Sequence, residues 1–267
     1  MNALSPLIAV SGVTKRFGGL TAVEDLAFDL FPGEILGLIG PNGAGKTTMF
    51  NLIAGVHQPN SGAILLDGAR IDGMAPHRIA EHGVMRTFQH NMPFAGMPLI
   101  DNVLVGRHTR LRGTLIDILL GRRRVREEEA SARQKAAELI AFVGLDQRAN
   151  DDVATLSFGE GRLLEVARAL AGEPRAILLD EPAAGLTAAE TTRLAAVIRD
   201  IAARGIAVLL IEHDMHFLLP LAQRIVVLNF GRKIAQGTAG DVTRDPAVVA
   251  AYLGEAAGGF GGRNLNA

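Results

Sequence analysis

The stretch at residues 33–55, GEILGLIGPNGAGKTTMFNLIAG, contains the pattern that decides the fold. Its first part, GEILGLIG, is a short continuous apolar run that predicts a buried strand, and KTTMFNLIAG predicts a helix that stops at Gly55. Between them, GPNGAGKT at residues 40–47 matches G-x-x-x-x-G-K-[ST] in the strand, loop and helix context that this motif requires. A strand, a loop and a helix in this order begin an α/β unit.

The loop at residues 40–47 offers the chemical groups that a triphosphate needs. Its glycines let backbone N–H groups turn inward, the helix offers its positive end, and Lys46 supplies a point charge for the β and γ phosphates. Thr47 can place its hydroxyl on Mg²⁺, and Thr48 is a further phosphate donor. No N-K-x-D motif for reading guanine occurs, so ATP is the expected nucleotide. The predicted nucleotide-binding residues of this loop are Gly40, Pro41, Asn42, Gly43, Ala44, Gly45, Lys46, Thr47 and Thr48.

A second motif, AILLDEP at residues 176–182, ends a buried strand in two adjacent carboxylates. Ligands bind at the carboxyl edge of the sheet in open α/β folds. Asp180 is predicted to hold Mg²⁺ through water, and Glu181 is placed to polarise the attacking water. Taken alone, the pair would be better interpreted as a helix cap or a solvated turn before Pro182. Taken with the loop at residues 40–47, it indicates ATP hydrolysis.

The pattern along the chain predicts an α/β fold with a P-loop NTPase core, an N-terminal antiparallel β subdomain and an inserted α-helical subdomain. The first thirty residues alternate apolar and polar positions around a Gly-Gly turn, as in antiparallel strands. Residues 92–172 have helical periodicity, after which buried strands of the parallel kind resume. We assign residues 1–91 and 173–254 to the core, and we expect the glycine-rich residues 255–267 to be a mobile tail.

Composition excludes several classes of protein. With 27 basic and 28 acidic residues the net charge is −1, so the chain has no basic footprint for nucleic acid. No apolar run reaches the roughly 18 to 20 residues that a membrane-spanning helix needs. The N-terminal MNALSPLIAV does not have the pattern of a secretion signal, and the absence of cysteine suits a reducing compartment. We therefore expect a cytoplasmic protein.

Together these motifs resemble the nucleotide-binding subunits of ATP-binding cassette (ABC) transporters, and the resemblance covers nearly the whole chain. RTFQ at residues 86–89 matches the Q-loop, LSFGE at residues 156–160 matches the signature usually written LSGGQ, and IEHD at residues 211–214 contains the switch histidine. AAGL at residues 183–186 follows the carboxylate pair as the D-loop. The resemblance implies catalytic roles for Lys46, Gln89, Glu181 and His213, and Mg²⁺ ligation by Thr47, Gln89 and Asp180.

The resemblance also implies a head-to-tail dimer, either a homodimer or a heterodimer with a homologous ATPase subunit. Ser157, Gly159 and Glu160 of one subunit, at the start of a helix that we expect from Gly161, would contact the nucleotide of the other. Such two-fold pairing uses the same surface on both subunits. ATP would join the dimer and hydrolysis would release it, which converts phosphate chemistry into opening and closing.

Several residues depart from the commonest pattern of this family. Phe17 stands where an aromatic residue, commonly Tyr, stacks on adenine; the alternative is a core residue of the first hairpin. In the signature, Phe158 replaces a small residue and Glu160 replaces Gln. We expect Glu160 either to point away from the nucleotide or to pair with Arg162. Thr187 stands where Asp or Asn is commoner, which weakens the case for a hydrogen bond across the dimer.

The helical region after Gln89 is where the resemblance implies docking of an integral membrane permease. Met92, Phe94, Met97 and Leu99 are apolar residues interrupted by proline and glycine, as in the lining of a groove. A small core of the helical subdomain would need the same composition. The implied location is the inner face of the cell membrane, where the ATPase is peripheral and serves a solute-binding protein only indirectly.

Within the family, the likeness is strongest to the ATP-binding subunit of bacterial branched-chain amino acid importers. The segments GVMRTFQ, LDEPAAGL, LLIEHDM and AYLGEA carry it, as does the insertion at residues 111–129. Importers of urea or short amides share much of this pattern, and export of lipid or polysaccharide would use the same ATPase core. A soluble ATP-switched regulator is the alternative from another class, but soluble relatives usually carry two cassettes and this chain has one.

Overall fold

The computed structural model describes residues 5–87, 93–107 and 123–258, which contain two β-sheets. The strands in chain order are β1 (Ile8–Phe17), β2 (Leu20–Leu30), β3 (Ile35–Ile39), β4 (Ser61–Leu66), β5 (Ala69–Arg70), β6 (Val84–Arg86), β7 (Ala176–Asp180), β8 (Ala207–Ile211), β9 (Arg224–Asn229) and β10 (Arg232–Gly237). One sheet is antiparallel, in the order β2, β1, β4, β5. The other has the order β10, β9, β3, β8, β7, β6 and is parallel except for β10 at its edge.

Helices surround these sheets within the described ranges, and they are α1 (Lys46–Ile53), α2 (Pro76–Glu81), α3 (Leu99–Val105), α4 (Arg123–Phe142), α5 (Phe158–Ala171), α6 (Ala188–Ala203), α7 (Met215–Leu218), α8 (Ala239–Arg244) and α9 (Pro246–Gly258). Among the described residues, no helix is both long and apolar enough to cross a membrane.

The parallel sheet lies between two apolar cores, and β3 shows why the chain folds this way. Leu36 and Leu38 point into a cluster shared with the antiparallel sheet and α1. Ile35 and Ile39 point to the opposite face, into a cluster that includes α3, α4, α5 and α6. Side chains of a strand alternate between faces, so a strand buried on both faces must be apolar at every position. The predicted α/β fold with buried parallel strands is confirmed.

The antiparallel sheet confirms the predicted N-terminal hairpin. Ile8 pairs with Leu30 and Phe17 with Leu20, on either side of the Gly-Gly turn. Strands β4 and β5, which complete this sheet, were not predicted from the sequence. Their signal is the turn Asp67-Gly68, in which both residues have positive φ, as in a two-residue hairpin loop.

Between residues 93 and 171 the described elements are helices and 3₁₀ turns, as the periodicity predicts. Part of this predicted helical region, residues 108–122, lies outside the described residues. Helix α9 ends at Gly258, whereas the tail was expected from residue 255. The alanine-rich sequence there favours helix, which accounts for the difference. The boundaries of the helical subdomain stay a prediction.

Candidate active site

The phosphate loop at residues 40–45 joins β3 to α1 and is pressed against two neighbouring strands. Gly40 has a φ of +149° and Gly45 a φ of +100°. A Cβ on Gly40 would lie 2.1 Å from the carbonyl oxygen of Leu228, and a Cβ on Gly45 would lie 2.4 Å from that of Ala22. Both obstacles are backbone atoms, so only glycine fits at these two positions. This packing keeps the loop curled at the start of α1.

Lys46 is the first residue of α1, and it is buried. Its Nζ donates to the carbonyl oxygens of Gly40, at 2.6 Å, and Pro41, at 2.9 Å, so the ammonium group lies over the loop. Among the described residues, no side chain caps the N-terminus of α1. Gly45, which precedes this helix, has no side chain to act as a cap, and the positive end of the helix is suited to binding an anion.

A cleft of about 390 Å³ opens beside the loop, and its lining includes residues 42–48, residues 20–22, Phe17 and Glu181. The residue Phe17 is 42% exposed, and its ring meets His57 edge-on, with 5.2 Å between the ring centroids. The alternative that Phe17 is a core residue of the first hairpin is therefore wrong. Its ring can be reached by a base, as stacking on adenine requires.

Phe230 also lines the cleft, and it was not predicted from the sequence. It lies in the tight turn between β9 and β10, where Phe230 has a φ of +45° and Gly231 a φ of +79°. The residue is 85% exposed. A left-handed backbone costs an ordinary residue about 1 to 2 kcal/mol, so asparagine or glycine would be favoured in such a turn. A strained and exposed aromatic residue at a cleft indicates a contact role, and NFGR between two strands is the signal in the sequence.

Asp180 ends β7 at the carboxyl edge of the sheet and is 2% exposed. Its Oδ2 accepts a hydrogen bond from Arg86 Nη2 at 3.0 Å, whereas its Oδ1 is buried and has no hydrogen-bond partner among the described residues. Burial raises the pKa of Asp180, and the neighbouring Arg86 and Lys46 act in the opposite direction. A buried carboxylate oxygen without a partner suits a cation ligand, because a cation would offset the cost of burial.

Arg86 is a second residue that was not singled out from the sequence. It ends β6, and its guanidinium donates both to Asp180 and to the side-chain oxygen of Asn51 in α1. The same guanidinium lies 5.9 Å from the ring centroid of Phe50. Arg86 therefore connects the carboxylate at the sheet edge to the helix that follows the phosphate loop.

Glu181 and His213 follow neighbouring strands, and their side chains face each other. The Glu181 Oε1 atom lies 3.8 Å from His213 Nδ1. Glu181 has a φ of +48°, and its N–H donates to the carbonyl oxygen of Ile211 at 3.0 Å. Such a conformation costs on the order of 1 to 3 kcal/mol and is typical of functional sites, where the surroundings hold it. Its carboxylate remains partly exposed at the cleft.

Glu212 is buried beside this pair and holds the start of the D-loop. Its Oε1 accepts from the N–H of Ala183 at 2.8 Å, and its Oε2 lies 3.9 Å from His213 Nδ1. Burial raises the pKa of Glu212, and the hydrogen bond from Ala183 opposes that rise. This carboxylate therefore links the D-loop to the strand end that carries the switch histidine.

Helix α5, which contains part of the signature, begins three residues earlier than expected. The helix starts at Phe158 rather than Gly161, because Ser157 and Glu160 form a capping box at its N-terminus. Glu160 Oε2 also accepts from Arg148 Nη1 at 2.6 Å, and that partner was not anticipated from the sequence. Burial would raise the pKa of Glu160, but hydrogen bonds from Ser157 and Arg148 outweigh it and lower the pKa.

The structure brings Phe17, residues 42–48 and Glu181 to one cleft, and His213 contacts Glu181 there. The described residues that line this cleft include none of the signature residues 156–160. Gln89 lies outside the described residues.

The segment that precedes α3 is organised by a buried amide. Asn102 Oδ1 accepts from the N–H of Phe94 at 2.8 Å, and its Nδ2 donates to the carbonyl oxygens of Phe94, Met97 and Pro98. Phe94 is 47% exposed, whereas Leu99 is fully buried in the core. Of the proposed groove residues, Phe94 and the half-buried Met97 are accessible, Leu99 is not, and Met92 lies outside the described residues.

A curled glycine loop that faces two carboxylates at the strand ends is suited to cleaving a phosphate anhydride. The loop and the start of α1 provide positive potential for phosphates, and Asp180 and Glu181 place one buried and one partly exposed carboxylate at the carboxyl edge of the sheet. This arrangement defines a P-loop nucleoside triphosphatase.

Comparison with known proteins gives the family. The ABC transporter model matches residues 23–184, and the model of the branched-chain amino acid ATP-binding cassette transporter matches residues 232–258. The High-affinity branched-chain amino acid transport ATP-binding protein LivG of Escherichia coli (strain K12) is 42% identical over 252 residues, 94% of this chain and 99% of that protein. The chain belongs to the ABC transporter family, as an ATP-binding subunit whose ATPase activity is coupled to transport.

Solved structures agree with the fold. The ADP conformation of an ATP-binding cassette of an ABC transporter matches with a TM-score of 0.82 at 28% identity, covering 94% of this chain and 99% of that chain. A dimeric ATP-binding cassette in a post-hydrolysis state, bound to ADP and Pi, matches with a TM-score of 0.72 at 22% identity, covering 87% of this chain and 98% of that chain.

Proposed function

We propose that this chain powers the import of branched-chain amino acids through a membrane permease. The observation that carries the substrate class is the match of residues 232–258 to the model of branched-chain amino acid cassettes. This segment comprises β10, α8 and α9 and contains none of the catalytic motifs, so its likeness is independent of the ATPase chemistry. The full-length similarity to LivG supports the same substrate class.

ATP would bind with Mg²⁺, and the residues present fit this cation. Asp180 offers a buried oxygen that has no hydrogen-bond partner in the part of the chain that the structure describes, and Thr47 offers a hydroxyl at the start of α1. Mg²⁺ usually keeps several waters and takes one or two protein oxygens, so a small ligand set is sufficient. Gln89 is proposed as a further ligand on the resemblance alone. When bound, Mg²⁺ would neutralise charge on the phosphates.

Hydrolysis would use the residues around the cleft in distinct roles. Lys46 and the loop N–H groups hold the β and γ phosphates, and Phe17 stacks on the adenine. Glu181 accepts a proton from the attacking water, since its carboxylate is partly exposed at the cleft. His213, 3.8 Å from Glu181, orients that carboxylate and contacts the γ-phosphate.

The ATPase would act as a head-to-tail dimer, either with itself or with a homologous subunit. Ser157 and Gly159 of each chain would contact the γ-phosphate held by the other chain. The separation of these residues from the chain's own cleft supports this arrangement. We assign Glu160 to shaping the loop, because its carboxylate is engaged by Ser157 and Arg148.

The permease would dock at the segment before α3, near Gln89. Phe94 is an exposed apolar residue there, and the buried Asn102 holds its backbone in place. The ATPase would lie on the cytoplasmic face of the membrane, and the solute-binding protein would act on it only through the permease.

Uptake in cells tests this function. The gene is deleted and restored either as wild type or as Lys46→Ala, and uptake of labelled leucine is compared with uptake of labelled urea. We expect the deletion to abolish leucine uptake and only the wild-type gene to restore it. Leucine uptake that is unchanged in a strain without another leucine importer would contradict the proposed substrate. Loss of urea uptake instead would favour the urea or amide alternative.

A further inference from the structure

Glu190 connects the D-loop to the signature loop within one chain. It is the third residue of α6, and its Oε2 accepts from both the N–H and the hydroxyl of Thr187, each at 2.9 Å. The N–H of Glu190 donates to Thr187 Oγ1 at 3.3 Å, which completes a capping box. One carboxylate oxygen is therefore used on its own helix, directly after the D-loop.

The other oxygen of Glu190 lies against the signature. A Cβ built on Gly159 would lie 2.3 Å from Glu190 Oε1 and 2.5 Å from its Cδ. Hydrogen bonds from the N–H and hydroxyl of Thr187 lower the pKa of Glu190, and the nearby donors of Gly159 and Ser157 act in the same direction. The side chain is therefore an ionised carboxylate at the N-terminus of the 14-residue helix α5.

A second contact joins the same two segments. A Cβ on Gly185, in the D-loop, would lie 3.1 Å from Cε1 of Phe158. The Arg162 guanidinium covers this ring, 5.1 Å from its centroid. The signature therefore contacts the D-loop and the start of α6 at two neighbouring residues, Phe158 and Gly159.

The positive end of a helix and its N–H donors attract anions, and two anions that approach the same donors repel each other. We propose that Glu190 is an internal counter-anion of the signature loop, which occupies the donors of Ser157 and Gly159 until the γ-phosphate of a partner chain displaces it. The inference rests on the proposed dimer. Because the same carboxylate accepts from Thr187, the residue directly after the D-loop, its withdrawal also releases that contact.

The variant Glu190→Gln removes the negative charge of this side chain but keeps its hydrogen bonds in the capping box. Glutamine also serves at the third position of a capping box, so α6 keeps its N-terminal hydrogen bonds while the competing charge is removed. The Glu190→Gln variant and the parent protein with which it is compared both carry Glu181→Gln to slow hydrolysis. Dimer formation is measured by sedimentation at increasing ATP concentration. We expect Glu190→Gln to lower the ATP concentration for half-maximal dimerisation by about threefold to tenfold, as for one charged group at a helix N-terminus.

The control is Glu138→Gln, which removes an exposed carboxylate on α4 that pairs with Lys135. It should leave the ATP dependence of dimerisation unchanged, and thermal unfolding checks that each variant is folded. An unchanged or higher ATP requirement for folded Glu190→Gln would show that Glu190 only positions the loop, and would overturn the inference while leaving the dimer intact. Failure of the Glu181→Gln parent to dimerise at any ATP concentration would overturn the proposed dimer and this inference with it.

Discussion

The loops that precede α1 and α5 look alike in sequence, since each places glycines immediately before or within the first turn of a helix. In the structure they differ. The phosphate loop has no side-chain cap among the described residues, and its glycines are held by backbone contacts. The signature loop is capped by Ser157, and two carboxylates, those of Glu160 and Glu190, lie at its helix N-terminus.

This difference matches two kinds of anion site. The phosphate loop keeps its helix end open toward a cleft of its own chain and adds the charge of Lys46. The signature loop has internal acceptors and lines no part of that cleft among the described residues. A loop that binds a nucleotide within its own chain needs open donors. Under the proposed dimer, the signature loop contacts the nucleotide of another chain, and until then acceptors of its own chain stabilise its donors.

The largest effect should come from the carboxylate of Glu181, which lines the cleft beside the phosphate loop. Glu181→Gln is expected to reduce the rate of ATP hydrolysis by about 100-fold to 10,000-fold, because a general base contributes that much. Binding of ATP should persist, since the phosphate loop is intact. Steady-state phosphate release and equilibrium binding of a fluorescent ATP analogue measure the two properties. Wild-type hydrolysis by this variant would mean that Glu181 is not the base.

The comparison is tested most directly by one substitution in each loop. Lys46→Ala should weaken ATP binding to the isolated chain by about 10-fold to 100-fold, the loss expected for a hydrogen bond to a charged group. Ser157→Ala should leave this affinity unchanged, because Ser157 lies outside the cleft. Calorimetric titration at concentrations below dimerisation measures both. If Ser157→Ala weakened binding as much as Lys46→Ala, the two loops would share one nucleotide in the same chain.

Steric support of the phosphate loop predicts a difference between two of its glycines. A Cβ on Gly45 meets the backbone oxygen of Ala22 at 2.4 Å, whereas a Cβ on Gly43 meets nothing within 4 Å. Gly45→Ala should lower the free energy of unfolding by about 2 to 4 kcal/mol, from overpacking and strain together. Gly43→Ala should lower it by about 1 kcal/mol, from strain alone. Urea unfolding measures both, and equal losses would contradict the packing argument.

The smallest effect should come from the turn at Phe230. Phe230→Asn is expected to raise the free energy of unfolding by about 1 kcal/mol, because asparagine tolerates the left-handed backbone of this turn. The same variant should weaken ATP binding about threefold, as for the loss of a modest aromatic contact, while binding of inorganic tripolyphosphate stays unchanged. Phe17→Ala is the matched comparison at the same cleft. Unchanged ATP affinity of Phe230→Asn would mean that Phe230 does not contact the nucleotide.

Much of the fold and part of the site could be predicted because their signals are local. The residues GPNGAGKT between a strand and a helix, and the apolar runs before Asp180 and His213, indicate both the elements and their order. The antiparallel strands β4 and β5 were missed although the turn Asp67-Gly68 marks them. The earlier start of α5 was missed because a capping box competes with the glycines as a boundary signal.

Sequence by itself therefore determined the parallel sheet, the phosphate loop and the two strand-end carboxylates, because each depends on periodicity and spacing over a few neighbouring residues. Only the tertiary structure decided which groups meet around them. Arg86 reaches Asp180 across 94 positions of sequence, and Glu190 reaches Gly159 from another helix. Such contacts depend on how elements pack and where each side chain points, and no local pattern of residues specifies those directions.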